Sequence, residues 1–255
     1  MIAIEKIKGL SAASDAETYT PSDLQAIAHI PDYGFLFDPN FYQNKKALDR
    51  VNGVEIDTTS SAGDSNIKTV GVNKLFSTTL AEGNYFRYAP PTDINPKAHT
   101  VVFVAKPDPV STPGNLSTIV ASVDNSGTGL DMKVSFSGTR KSINYYPNGG
   151  LTSAAGALVS HVLTQEQIDS LCLYIISFST EKGYEIRING QTVATNTTDK
   201  TARTSQNKAG EYSLMRSYAG DMGIVALLNS DLTLARNAKH LAELEALLMS
   251  KYSIS

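Results

Sequence analysis

The sequence predicts an all-β protein: one antiparallel β-sandwich with a short helix near its amino end and a longer helix at its carboxyl end. Three observations carry this prediction. Residues 171–196, LCLYIISFSTEKGYEIRINGQTVATN, read as three antiparallel strands in succession. Short apolar or alternating runs, punctuated by Gly, Pro, Asn and Ser, recur along most of the chain. Only residues 233–250 show a sustained helical stripe, and no repeat of solenoid or propeller length is visible.

Within the central meander, residues 171–179 form an apolar, β-branched and aromatic run that ends at a polar turn closed by Gly183. Residues 184–188 alternate, with Tyr184, Ile186 and Ile188 on one face and Glu185 and Arg187 on a wet face. Asn189-Gly190 supplies the positive φ angles of a two-residue hairpin, and residues 192–195 return as the third strand.

Taken from the start, residues 2–7 form a short strand-like piece, followed by the polar SAASDAETYT. Thr20-Pro21-Ser22-Asp23 begins a short helix with a capping hydroxyl, a first-turn proline and an acid. Leu24, Ile27 and Ala28 give it an apolar face, and Pro31 ends it. Residues 1–30 therefore read as an arm, a docking segment or cap, and residues 31–255 as the sandwich. Strands are expected at 33–37, 69–75, 84–88 and 99–106, the last an apolar run suited to burial on both faces. Residues 48–66 are loop-rich, and 107–114, PDPVSTPG, form a loop because three prolines cannot feed a central ladder. Further strands fall at 117–123, 130–136, 141–145, 157–163, 212–217 and 222–228. The intervals 146–156 and 196–210 read as loops, and residues 164–167 as a capped helical turn. In the terminal helix, Leu234, Ala238, Leu241, Leu244, Leu247 and Leu248 make the apolar stripe, free of Gly and Pro.

Composition narrows the function. A chain of 255 residues buries enough surface to fold without metal or disulfide. Its single cysteine, Cys172, lies in an apolar strand and reads as a small hydrophobe. The net charge of −3, with both signs scattered, argues against nucleic-acid binding. No apolar run reaches the roughly 20 residues that span a bilayer. The opening MIAIEKIKGL lacks a signal-peptide core, which implies synthesis in a cytoplasm.

Candidate chemistry is sparse. His29, His99, His161 and His240 are far apart and match no metal-ligand spacing. No nucleophile elbow, P-loop or dinucleotide fingerprint occurs, and no cofactor is expected. Asp124, Asn125 and Asp131 around a glycine turn offer hard oxygen ligands, so calcium is the one metal alternative, with hairpin chemistry as the plainer account. Tyr145, Tyr146, Tyr212 and Tyr218, with Asn148, are the candidate ligand surface. They fall at strand ends or loops, where an aromatic face and a hydroxyl can both meet a ligand. Core packing is the competing role for each tyrosine.

Three stretches resemble the concanavalin A-like lectin/glucanase superfamily in its laminin-G-like form. They are HTVVFVAKPD (residues 99–108), YEIRINGQTVA (184–194) and the closing GDMGIVALLNSDLTLARNAKHLAELEALLMSKYSI (220–254). The last is the most specific, because strand, helix and a terminal Lys251-Tyr252 fall in the family's order. The resemblance spans residues 33–255 and implies a jelly roll of two curved sheets used for carbohydrate or protein binding. Two departures stand out. There is no tryptophan to stack on sugar rings, and Glu55-Ile56-Asp57-Thr58-Thr59 lacks the final carboxylate of the glucanase Glu-x-Asp-x-Glu strand. A non-enzymatic role follows from that departure.

An outward-facing binding fold without disulfides or export signal fits a bacteriophage virion structural protein, either capsid decoration or tail-associated. Its expected partners are other virion proteins through the arm, host surface glycans through the sandwich, and further copies of itself. The alternatives are a bacterial carbohydrate-binding lectin module and, behind it, a glycoside hydrolase with an unfamiliar carboxylate pair.

Overall fold

The computed structural model describes residues 30, 32–43, 46–57, 67–78, 86–88, 95–108, 116–123, 130–137, 141–149, 159–201, 211–215 and 218–255. The arm, its strand at 2–7 and nearly all of the helix expected over 20–30 lie outside the described residues. In chain order the strands are β1 (Tyr33–Phe37), β2 (Lys46–Asp49), β3 (Val54–Asp57), β4 (Ile67–Val70), β5 (Asn73–Thr78), β6 (Phe86–Tyr88), β7 (Ala98–Pro107) and β8 (Leu116–Val123). They continue as β9 (Leu130–Ser137), β10 (Ser142–Gly149), β11 (Val159–Val162), β12 (Cys172–Ser179), β13 (Gly183–Ile188), β14 (Gln191–Asn196), β15 (Glu211–Leu214) and β16 (Gly220–Leu228). Two α-helices follow β11 and β16: α1 (Gln165–Asp169) and α2 (Ala238–Tyr252).

The strands build two sheets, and every described pairing is antiparallel. One sheet runs β14-β13-β12-β7-β16-β1-β2-β3, with the β4–β5 hairpin joined to β16; the other runs β11-β10-β9-β8-β15-β6. Between them lies an inner core rich in aromatics. Phe103 and Tyr174 stack at 5.0 Å, and Phe136 of the facing sheet meets Tyr174 edge-on at 5.3 Å.

A second apolar layer sits on the outer face of the larger sheet, under α2. Val102, Val104, Leu173, Ile175, Ile224 and Ala226 face out to meet Leu241, Leu244, Leu248 and Tyr252 of the helix, with Ile30 alongside. This explains the unbroken apolar runs of β7 and β12. All eight positions of β12 are buried, because both of its faces are covered.

Strand β16 carries the device that joins these layers. Met222 and Val225 point into the inner core while Ile224 points out, so the alternation slips between them. This bulge lets β5 pair with residues 220–222 and β1 pair beyond it on the same flank of β16. At the bulge the Ile224 N–H donates to the Tyr252 hydroxyl at 3.0 Å. Gly223 leaves room for that ring, since a Cβ there would lie 2.9 Å from it.

Several expectations change in the structure. The start of the stretch expected to be loop-rich, 48–66, belongs instead to the hairpin of β2 and β3, and residues 58–66 lie outside the described residues. The hairpin is held by the buried Asp49 carboxylate, which accepts from Leu36 N, Val51 N, Asn52 Nδ2 and the Tyr88 hydroxyl, a tie with no apolar periodicity to reveal it. Residues 69–75 are the arms of two strands folded at Gly71 (φ 62°). Residues 146–149 extend β10 past its last pairing with β11, so that among the described residues Pro147 meets β9 alone. The terminal helix begins at Ala238, after a 3₁₀ turn over Ala235–Asn237. Buried Asp231 holds the approach, accepting from Thr233 N and Oγ1 and from Ser179 Oγ. The face of β13 expected to be wet is also covered by α2, through the Arg187–Glu245 ion pair.

Candidate functional site

The predicted tyrosine surface is dispersed by the fold. Tyr145, Tyr212 and Tyr218 belong to the inner core, each 2 % exposed or less. Tyr145 faces inward with Ile143 by the alternation of β10, and its hydroxyl lies 2.7 Å from His99 Nε2 across the sandwich. Tyr212 packs its ring on Phe35. Tyr218 places its hydroxyl 3.0 Å from the Lys106 carbonyl and 2.9 Å from that of Asp221, and burial pushes its phenol well above the ordinary value. These three hold the sheets together and offer no face to a ligand. Tyr146 alternates to the opposite side of β10, 7 % exposed, with the Lys133 ammonium 6.0 Å from its ring. Asn148 lies further along β10 and Asp131 near the start of β9, in the same ladder. Their side chains, and Asp124 and Asn125 entirely, lie outside the described residues. Among the described residues no group of three His, Cys, Asp or Glu side chains comes together to hold a metal.

A different feature offers room for a ligand. At the end of the larger sheet where β7 finishes and β12, β14 and β16 begin, an open cleft of about 880 Å³ is framed by four pieces of chain. Helix α1 and its approach form one wall, with Thr164, Glu166, Gln167, Asp169 and Ser170. A second wall is β4, through Lys68 and Val70. Leu171, Cys172, Ile188 and Asn189 line it from the strand ends, and Tyr252 to Ser255 close the remaining side.

Each wall is locally fixed. Thr164 and Gln167 make a reciprocal capping box: the Thr164 hydroxyl accepts from Gln167 N at 3.3 Å, and Gln167 Oε1 accepts from Thr164 N at 3.0 Å. Lys68 Nζ pairs with Asp221 Oδ2 at 2.8 Å, while Ser77 Oγ donates to the other carboxylate oxygen, also at 2.8 Å. Asn189, in the left-handed region at φ 48°, accepts from Leu173 N at 2.9 Å. The Cys172 thiol is pushed up by burial, so it stays protonated, as a cleft-lining hydrophobe does.

A second, smaller cleft of about 290 Å³ lies beyond α1, lined by Lys106, Pro107, Asp108, Lys141, Gln165, Ile168 and Asp169. Lys106 and Asp169 border both clefts. The Asp169 carboxylate is held by Gln165 Nε2 at 3.0 and 2.9 Å. Together the walls present hydroxyls, amides, ammonium groups and carboxylates, broken by small apolar patches. Such a lining hydrogen-bonds a ligand whose own groups both donate and accept. The capped turn at 164–167 is legible in the sequence, but nothing there marks it as facing the 189–193 hairpin; only strand pairing brings them together.

No protein-family model and no curated protein sequence matches the chain. Solved structures do. The sialidase of Trypanosoma rangeli aligns with 87% of this chain at a TM-score of 0.54 and 14% identity, over 33% of its own length. The botulinum neurotoxin serotype D binding domain aligns with 88% of this chain at a TM-score of 0.57 and 12% identity, over 53% of its own length. The chain thus spans between a third and about half of the structures it matches. The likeness is one of fold, that of an antiparallel β-sandwich.

Proposed function

We propose that this chain is a non-enzymatic glycan-binding module whose ligand seat is the polar cleft beside α1. One observation carries the reading: the cleft mixes donors and acceptors of both charge signs on fixed walls. A polyhydroxylated ligand can satisfy that mixture, whereas a strongly charged one meets groups of its own sign. Apolar Val70 and Leu171, which keep part of their surface open, provide the small patches on which a sugar ring's C–H face rests. With no tryptophan in the chain, affinity comes from hydrogen bonds and is weak per site, which favours display in many copies. A cofactor plays no part, and EDTA leaves binding unchanged.

At the finer level, the module is a bacteriophage virion subunit, capsid decoration or tail-associated, anchored by residues 1–30 and facing host glycans. The sequence supports this through its lone buried cysteine and its outward-type binding fold. A printed array of bacterial surface glycans tests the binding reading. Retention on a subset of glycans is expected, and silence across the array overturns it. Bound glycans recovered at full length after long incubation support the non-enzymatic part; shortened products refute it. Mass spectrometry of purified particles finds the chain if it is a virion subunit, and its absence removes that role.

A further inference from the structure

Resting on the glycan-binding reading, we infer that the two clefts are one continuous groove and that its ligand is a linear oligosaccharide, not a single terminal sugar. The larger cleft and the smaller one share Lys106 and Asp169, so a chain passing α1 stays in contact with the protein throughout. The larger cleft alone, at about 880 Å³, falls within the size range of clefts that hold a drug-sized ligand, which leaves room for more than one sugar ring. Beyond the junction, Lys141 and Gln165 extend the same mix of donor and acceptor. A lone monosaccharide leaves most of this lining facing water; a chain of several sugars engages it.

The groove also carries two ends that can be separated by mutation. Gln191 borders only the larger cleft and Lys141 only the smaller, and both are exposed. Lys141 sits at φ 48°, where alanine is no more strained than lysine, so Lys141→Ala leaves the fold unchanged.

The test uses the full chain and an array of bacterial surface glycans, each printed from monosaccharide to hexasaccharide. Affinity is expected to rise by about tenfold or more between the shortest and the longest members, as added hydrogen bonds accrue. Lys141→Ala is expected to reduce retention of the long members alone, by about tenfold or less. Gln191→Ala reduces retention of long and short members alike. Equal affinity for all lengths, or a Lys141→Ala variant identical to the parent on hexasaccharides, overturns the groove while leaving the binding module intact. Failure to bind any length removes the module itself.

Discussion

Glu185 shows how a side chain placed on an outward strand face becomes part of the interior. It is 4 % exposed and takes an ion pair from Lys182, a hydrogen bond from Thr192 Oγ1 at 2.7 Å and one from Arg187. Burial acts to raise its pKa, but the hydrogen bonds from Lys182, Thr192 and Arg187 prevail and hold it below the ordinary carboxylate value. A depressed folded pKa means that the ionised form stabilises the fold above the unfolded value, about 4.3. That contribution drains away as pH falls through the lower folded pKa. Urea unfolding between about pH 3 and pH 7 should therefore show Glu185→Gln weaker by about 1–3 kcal/mol at neutral pH, with a flatter acid limb. An identical pH dependence in both proteins would place the acid sensitivity elsewhere. Nearby, Gly190 has φ 78° and open space where a Cβ would stand, the nearest neighbour being Glu245 Oε2 at 3.8 Å. Gly190→Val therefore costs backbone strain without a clash, about 1–3 kcal/mol in thermal unfolding, and a neutral result contradicts the hairpin geometry.

At the scale of elements, the bulge in β16 and the end of α2 depend on one another. Tyr252→Phe keeps the ring but strands the buried Ile224 N–H, at a cost of about 1–3 kcal/mol. Gly223→Ala drives a methyl group into the same ring, for about 1–3 kcal/mol. Because both act on one contact, the double variant should fall short of the sum in a double-mutant cycle; strict additivity would mean the two sites do not share it. The elements legible in sequence are those with a local cause. The Asn189-Gly190 turn, the apolar run of β12 and the stripe of α2 each carry their own periodicity or turn chemistry. The β2–β3 hairpin is hidden because Asp49, a polar residue, ties it to Leu36 and Tyr88 far along the chain. The candidate site is less legible still. Strand ends suggest exposed tyrosine faces, but β10 runs on past Tyr145, whose place in the alternation with Ile143 is inward, and the cleft is built from α1, β4 and the carboxyl end, which meet only through long-range pairing.

For the whole molecule, the decisive feature is that the inner and outer cores share strands. Each of β7, β12 and β16 contributes alternate side chains to both layers, Phe103 inward and Val102 outward, Tyr174 inward and Leu173 outward. Neither layer can then melt while the other keeps its packing, and the fold should unfold in one cooperative step despite having two apolar layers. The chain has no tryptophan, so near-ultraviolet dichroism reports the tyrosines, and Tyr145, Tyr174, Tyr184 and Tyr212 all sit in the inner core. Leu244 lies on the far side of the larger sheet, in α2, over Val102, Ile224, Ala226 and Leu228. Leu244→Ala leaves a cavity under the helix and should cost about 2–5 kcal/mol. If the layers are coupled, the inner-core tyrosine signal and the far-ultraviolet strand signal fall together at the same lowered Tm. If α2 instead frays first, leaving the tyrosine transition where it was, the two layers are independent and β7, β12 and β16 do not transmit packing between them.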